Sequence, residues 1–204
     1  DFADTSQYLS AQNFTDNVIN VAMPSTYRFL EKVIDEIGRM YQDAGVELPA
    51  FHVGGDEVPE GIWEGSAICR TFMKEHGLTK IRDLKDYFLE QILEMLDKRN
   101  IQAVGWQDIV MNPDNTVNEH FRNSKVLNYC WNTIPEQGGD EVPYKLANAG
   151  YPIILCNVGN FYLDMAYCYH VEEPGLRWGG YVDEYVTFDM LPFDISKSLR
   201  RNLK

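Results

Sequence analysis

Apolar residues follow two different spacings along the chain, and segments of the two kinds alternate. Spacing of three or four positions predicts helices that open at Pro24-Ser25-Thr26 and run on to Met40, then over 66–74 (closed near Gly77), 82–99 and about 142–149 (closed by Gly150). Short apolar runs predict strands at 50–53, 102–106, 126–131 and 151–156. Such alternation is typical of a parallel sheet with right-handed crossovers. The region from 157 to 204 is predicted to be aromatic and loop-like, with a charged end at Lys197, Arg200, Arg201 and Lys204.

The first predicted strand leads directly into two glycines and two acidic residues, Ala50-Phe51-His52-Val53-Gly54-Gly55-Asp56-Glu57. The strand is expected to be buried, and the glycines let the backbone turn tightly. Asp56 and Glu57 are therefore expected at the carboxyl end of a strand, where parallel α/β folds bind ligands and place catalytic residues. An ionised Asp56 would raise the pKa of Glu57, as a general acid acting on a sugar requires. The alternative is an acidic pair on a solvated turn.

Aromatic residues and a further carboxylate stand at the ends of the other predicted strands. Trp106 ends the second, Trp131 ends the third, and Tyr162 and Asp164 follow the fourth. A single tryptophan is more often a core residue, but this shared position favours a common mouth where rings stack on sugar faces.

The composition is that of an ordinary globular chain: 204 residues, 45% of them hydrophobic and 24% charged. With 18 basic against 31 acidic residues the net charge is −13. This charge opposes binding to nucleic acid or to anionic lipid, so a neutral or cationic small ligand fits better. No apolar run approaches the roughly 18 residues of a membrane span.

The cysteines and histidines give little support to a metal site. No Cys-x-x-Cys pair occurs, and the four cysteines are expected to be buried thiols: Cys69, Cys130, Cys156 and Cys168. The chain starts without methionine or a signal peptide, so its start is expected to be a cut.

The sequence His52-Val53-Gly54-Gly55-Asp56-Glu57 resembles the His-x-Gly-Gly-Asp-Glu signature of glycoside hydrolase family 20, the β-N-acetylhexosaminidases. The resemblance continues, in order, through Trp106, Trp131 in Asn128-Tyr129-Cys130-Trp131, Tyr162-Leu163-Asp164, and Trp178 in Gly175-Leu176-Arg177-Trp178-Gly179-Gly180. The segments Asn17-Val18-Ile19-Asn20 and Pro24-Ser25-Thr26-Tyr27 are similar to the bacterial chitobiase branch.

The resemblance implies an α/β fold, a (β/α)8 TIM barrel, of which this chain carries about four strand–helix units. Residues 1–204 are then part of one catalytic domain without an internal boundary. An upstream arginine segment and a final strand with Trp-x-Glu are not in the sequence, so association with missing barrel segments or self-association is expected. The resemblance also implies a periplasmic, cell-surface or secreted location and no cofactor.

The implied activity is that of a retaining exo-β-N-acetylhexosaminidase. It would release terminal N-acetylglucosamine or N-acetylgalactosamine from an oligosaccharide or glycoconjugate. The family is an exception to the two-carboxylate scheme, because the sugar's own acetamido oxygen is the nucleophile and forms an oxazolinium intermediate. Glu57 would be the acid and base, Asp56 would accept the acetamido N–H, and His52 would support Asp56.

The remaining implied roles belong to substrate binding. Trp106, Trp131 and Trp178 would wall the acetamido pocket and stack on the sugar. Tyr162 would donate to the acetamido carbonyl oxygen, and Asp164 would hold sugar hydroxyls. A closed aromatic box would give the proximity that makes an internal nucleophile effective.

Two alternatives from other classes stay open. The first is a non-catalytic remnant that binds an N-acetylated sugar without turnover. The second is a metal-dependent hydrolase with His52, Asp56 and Glu57 as ligands, although no second histidine stands at ligand spacing.

Overall fold

A computed structural model describes residues 4, 6–10, 13–59 and 61–192. Its α-helices are α1 (Pro24–Asp43), α2 (Ala67–His76), α3 (Ile81–Asp97), α4 (Val142–Ala149), α5 (Val158–Phe161) and α6 (Glu184–Phe188). Its strands are β1 (Ala50–His52), β2 (Gln102–Trp106), β3 (Leu127–Cys130) and β4 (Ile153–Leu155). The four predicted helices and four predicted strands are therefore confirmed.

Local signals in the sequence set the helix ends. Pro24 stands in the first turn of α1, where its missing N–H is not needed. Ser66 caps α2 by accepting the Cys69 N–H, and Gly77 ends that helix at φ 66°. Gly150 ends α4 in the same way at φ 96°. Both α2 and α4 thus stop where a glycine adopts the left-handed conformation that other residues avoid.

The strands form a parallel sheet in the order β1-β2-β3-β4. Between β2 and β3 the register pairs Val104 with Leu127 and Trp106 with Tyr129. Between β3 and β4 it pairs Asn128 with Ile153 and Cys130 with Leu155. Sequential strand order with helices between the strands is the pattern of a (β/α) barrel wall.

The chain groups into two compact units, residues 1–103 and 104–204. In the first unit one hydrophobic cluster is formed by the buried residues Val21, Ala22, Ile62, Trp63, Cys69 and Leu84. Trp63 is only 6% exposed, and its Nε1 donates to the Ile19 carbonyl at 3.2 Å. Trp63 is therefore a core residue. The prediction of a single domain over 1–204 stays a prediction.

The second unit contains two helices that the sequence did not predict. Both are short, four residues in α5 and five in α6, so neither is long enough for an apolar repeat. Asp183 caps α6, because its Oδ1 accepts the Val186 N–H at 2.8 Å. The buried residues Val158, Met165 and Val182 form a small core around which this region folds. The charged end at Lys197, Arg200, Arg201 and Lys204 lies outside the described residues.

Two predictions about burial are wrong. Ala50 and Phe51 are only partly buried and His52 is exposed, because β1 is an outer strand of the sheet and has a neighbour on one side. Cys69 and Cys130 are buried, but Cys156 is half-buried and Cys168 is exposed. Cys168 lies in the irregular segment between α5 and α6, where no element covers it. All four thiols are free.

Among the helices of the described residues, none is long and apolar enough to cross a membrane.

Candidate active site

The Gly-Gly-Asp-Glu segment follows the carboxyl end of β1, and residues 53–59 form neither a hydrogen-bonded turn nor a bend. Gly54 and Gly55 adopt φ 69° and 90°, and Glu57 adopts φ 46°. A positive φ is ordinary for glycine but uncommon for glutamate, and such strain, on the order of 1–3 kcal/mol, clusters at functional sites. Glu57 is therefore a candidate catalytic residue on structural grounds.

The His52 side chain is hydrogen-bonded to the backbone of this same segment. Its Nδ1 accepts the Gly54 N–H at 3.1 Å, so the proton of the neutral imidazole resides on Nε2. Although part of the residue is exposed, desolvation lowers the pKa of His52, and the negative charge of Asp56 acts in the opposite direction. His52 and Asp56 therefore interact electrostatically, as support of Asp56 by His52 would require.

Asp56 and Glu57 are both exposed to solvent. A carboxylate that must meet a sugar needs such access. Within the described part of the chain, no group of three or more His, Cys, Asp or Glu residues is arranged to hold a metal ion. The structure thus gives no support to the alternative in which His52, Asp56 and Glu57 bind a metal.

Three aromatic residues predicted for the site meet in the second unit, and we call Trp131, Tyr162 and Trp178 the aromatic corner. The ring centres of Trp131 and Trp178 are 6.0 Å apart with an interplanar angle of 72°. Tyr162 and Trp178 are also 6.0 Å apart, at 83°. Both are edge-to-face contacts, the arrangement that the ring quadrupoles favour. The sequence places these residues 47 positions apart at most, yet the fold assembles them around Trp178.

The aromatic corner has one fixed ring and one accessible ring. Trp131 follows β3 directly and is 9% exposed, whereas Trp178 is 48% exposed. The Trp131 Nε1 donates to Asp108 Oδ2 at 2.8 Å, and the Trp131 carbonyl accepts the Val158 N–H at 2.9 Å. The side chain and the backbone of Trp131 are thus each held by a hydrogen bond. The exposed Trp178 indole offers surface to a ligand.

The loop that carries Trp178 depends on its glycines. The Leu176 N–H donates to the Asp164 carbonyl at 2.7 Å, and the Ala166 N–H donates to the Leu176 carbonyl at 2.8 Å. A Cβ at Gly175 would lie 2.7 Å from the Ala166 nitrogen. A Cβ at Gly179 would collide with the side chain of Val158. Both glycines are therefore needed for the close approach that brings Trp178 to the aromatic corner.

Trp106 and Asp164 complete the set of predicted binding residues. Trp106 is the last residue of β2, is half-buried, and contacts Tyr129 edge-to-face with 6.0 Å between ring centres. The side chain of Asp164 is exposed, two residues from Tyr162. His52, Asp56 and Glu57 belong to the first unit, and all the binding residues belong to the second.

Asp108 is a residue of this site that the sequence did not single out. It lies in the 3-10 turn Gln107–Ile109 after β2 and is the hydrogen-bond partner of the Trp131 indole. The available signal was its position, because an acidic residue two places past a predicted strand resembles the placement of Asp56 and Glu57. In chemical terms, the second unit offers aromatic faces beside an exposed carboxylate, which suits a neutral ligand with many hydroxyls.

Comparison with known proteins identifies related sequences. A family model for the glycosyl hydrolase family 20 catalytic domain matches residues 2–201. A beta-hexosaminidase of Vibrio furnissii is 34% identical over 178 residues, which cover 87% of this chain and 26% of the relative. A beta-hexosaminidase of Vibrio vulnificus is 31% identical over 195 residues, or 94% of this chain and 23% of the relative. The chain thus spans about a quarter of the length of these curated relatives.

A solved structure has the same fold. The exo beta-N-acetylglucosaminidase of Vibrio harveyi, in complex with N-acetylglucosamine, superposes with a TM-score of 0.77 at 29% identity. The match covers 94% of this chain and 27% of that one.

Proposed function

Because the chain belongs to glycosyl hydrolase family 20 and matches its catalytic domain over residues 2–201, we propose that the protein that carries it is a β-N-acetylhexosaminidase. Its substrates are oligosaccharides or glycoconjugates that end in β-linked N-acetylglucosamine or N-acetylgalactosamine. The reaction retains the anomeric configuration and runs through an oxazolinium intermediate. The names of the similar hexosaminidases support this choice of substrate.

The observation that carries the proposal is the aromatic corner. Substrate-assisted cleavage needs the acetamido group folded under the sugar ring, with its oxygen beside the anomeric carbon. The cluster of the fixed Trp131 indole with Trp178 and Tyr162 supports the proposal, because aromatic faces on either side of a small, flat acetamido group would hold it in this position. A site that cleaved sugars without such a substituent would have no need of this cluster of rings.

The two carboxylates have different roles in the proposed reaction. Glu57 protonates the leaving glycosidic oxygen and then, as its conjugate base, removes a proton from the water that opens the intermediate. Asp56 accepts a hydrogen bond from the acetamido N–H and stabilises the positive charge that develops on the oxazolinium ring. The strained backbone at Glu57, with φ 46°, supports a catalytic role for this residue because such strain clusters at functional sites.

The other residues bind and orient the sugar. Tyr162 donates to the acetamido carbonyl oxygen, and Asp164 accepts hydrogen bonds from sugar hydroxyls. Trp106 adds a further aromatic wall at the end of β2. His52 orients Asp56, consistent with the electrostatic interaction between the two. The substrate site is completed by barrel segments that this chain does not supply.

The test compares two chromogenic substrates that differ only in the acetamido group, using the complete protein that carries these residues. The p-nitrophenyl glycoside of N-acetyl-β-glucosamine should be hydrolysed, and the corresponding β-glucoside should be hydrolysed at least 100-fold more slowly, on the order of an intramolecular nucleophile's advantage. A thiazoline analogue of the intermediate should inhibit competitively.

Comparable turnover of both glycosides would rule out the internal nucleophile. Tight binding of N-acetylglucosamine without release of p-nitrophenol from either glycoside would instead identify a non-catalytic sugar-binding protein. Loss of activity in a chelator would revive the metal alternative.

A further inference from the structure

We infer that Asp108 is a positioning residue for the proposed reaction: its carboxylate fixes the orientation of the Trp131 indole and thereby the shape of the acetamido pocket. The inference rests on the proposed function of the aromatic corner. On this inference Asp108 contacts no substrate and acts on the reaction only through Trp131.

The pairing of β2 with β3 brings the segments that carry Asp108 and Trp131 close together. In the ladder between these strands, Val104 pairs with Leu127 and Trp106 with Tyr129. Asp108 lies in the 3-10 turn that follows β2, and Trp131 directly follows β3. There the Trp131 Nε1 donates to Asp108 Oδ2 at 2.8 Å. The hydrogen bond therefore joins the two segments that leave the carboxyl ends of neighbouring strands.

The Trp131 indole needs this partner because it is almost fully buried. It is 9% exposed, and its N–H is a donor with no capacity to accept. A buried donor without an acceptor destabilises the orientation that leaves it unpaired. The acceptor here is a carboxylate, whose hydrogen bonds are shorter and stronger than those of a neutral group. The bond selects one rotamer of the ring among those that packing alone would allow.

The orientation of Trp131 in turn sets the position of Trp178. The two rings meet edge to face with 6.0 Å between centres, so a rotated Trp131 would remove the surface against which Trp178 lies. The Trp131 carbonyl is held independently by the Val158 N–H. Loss of Asp108 should therefore release the ring while the backbone stays in place, and the pocket should loosen without the unit unfolding.

The experiment compares Asp108→Ala, Asp108→Asn and Trp131→Phe in the complete protein. Asparagine keeps an acceptor, and phenylalanine keeps a ring but removes the N–H. Two measurements are made: kcat and KM for the aryl N-acetyl-β-glucosaminide, and the ratio of its kcat/KM to that of the bulkier N-propionyl analogue. Asp183→Ala is the matched control, because it removes the α6 cap in the same unit and leaves Asp108 and the three rings of the aromatic corner unchanged.

In Asp108→Ala we expect kcat to fall by up to about 100-fold, the size of effect that a misplaced pocket produces. Its preference for the N-acetyl over the N-propionyl substrate should shrink, because a loosened pocket accepts a larger acyl group. Asp108→Asn should retain most of the wild-type kcat and most of the wild-type acyl preference, because asparagine keeps an acceptor. Trp131→Phe should behave like Asp108→Ala, and the double variant should be no worse than either single one, since both remove the same bond.

The inference is overturned if Asp108→Ala keeps the wild-type acyl preference and kcat, or if the two single effects add in the double variant. It is also overturned if Asp183→Ala reduces the acyl preference equally, since the effect would then reflect stability alone. Should Asp108→Ala fail to fold, Trp131→Phe and Asp108→Asn decide by the same criteria. A wild-type protein that makes no distinction between acetamido and unsubstituted glycosides refutes the proposed function instead, which separates the two failures.

Discussion

At the level of single residues, backbone conformation and one buried hydrogen bond define the candidate site. Gly54 and Gly55 adopt positive φ angles just before Asp56 and Glu57, and the Trp131 indole donates to Asp108. Asp108 was missed because its role depends on Trp131, 23 residues later along the chain. The two residues become neighbours only when β2 and β3 pair and the segments after them meet, and no single strand's sequence specifies that pairing.

The cysteines provide a residue-scale prediction about reactivity. Burial raises the pKa of Cys130 to about 12, and it also raises the pKa of Cys69 and of Cys156. The thiolate is the reactive form, so at pH 8 the fraction of ionised Cys130 is on the order of one in ten thousand. Cys168, by contrast, is exposed. We expect a fast reaction with Ellman's reagent in the native protein that Cys168→Ser removes.

Because burial raises the pKa of Cys69, Cys130 and Cys156, their thiolate fractions are small at pH 8. Raising the pH toward 10 should therefore accelerate the reaction of these three thiols with Ellman's reagent. A fast phase that survives in the double variant Cys156→Ser/Cys168→Ser would show that Cys69 or Cys130 is accessible, contrary to the burial of both.

At the element scale, the sequence predicts best where a helix or strand has clear ends. The predicted bounds 102–106 and 142–149 are those of β2 and α4, because Pro143, Gly150 and the strand's apolar run leave little freedom. The short helices α5 and α6 had no repeat to reveal them, and their region is organised by the small core at Val158, Met165 and Val182 instead. Burial of β1 was overestimated because an apolar run does not say how many neighbours a strand has.

Two glycines, one with room for a side chain and one without, are predicted to respond to alanine in opposite directions. Gly38 lies within α1, and a Cβ added there would meet no atom within 4 Å. Gly38→Ala should therefore raise the free energy of unfolding by about 0.5–1 kcal/mol. Gly179 lies against Val158, so Gly179→Ala should lower the free energy of unfolding by about 1–3 kcal/mol through overpacking. Denaturant titration of both variants in the complete protein measures the difference.

The Gly179→Ala variant has a second expected consequence, because Gly179 adjoins Trp178. It should weaken sugar binding as well as stability, whereas Gly38→Ala should leave binding unchanged. Equal stability of wild type and Gly179→Ala would contradict the close packing that the structure describes.

At the scale of the whole molecule, the chain carries a four-stranded part of a (β/α)8 barrel. The family match and the parallel order β1-β2-β3-β4 agree on this. The outer strands of that sheet are β1 and β4, and side chains near the latter remain exposed, such as Ile154 at 37% and Leu191 at 83%. Open strand edges pair readily with other chains.

We therefore expect the isolated 204-residue chain to associate with itself. Sedimentation velocity should show species larger than the 23.5 kDa of one chain, increasing with concentration. Adding the remaining barrel segments should reduce this association by covering the edges. A monodisperse monomer with a single cooperative unfolding transition would mean that the four strands suffice for a stable fold.

The adjacent carboxylates Asp56 and Glu57 perform different steps of the proposed reaction, and the leaving-group dependence of hydrolysis distinguishes these steps. In the complete protein, Glu57→Gln removes the proton donor, so rates should fall most for aryl N-acetyl-β-glucosaminides with poor leaving groups and least for activated ones. Asp56→Asn removes the negative charge that faces the acetamido nitrogen, so rates should fall by a similar factor for good and poor leaving groups. We expect a steep plot of log kcat/KM against leaving-group pKa for Glu57→Gln and an unchanged slope for Asp56→Asn. The same slope for both variants would rule out the assignment of the acid to Glu57 and of the acetamido contact to Asp56.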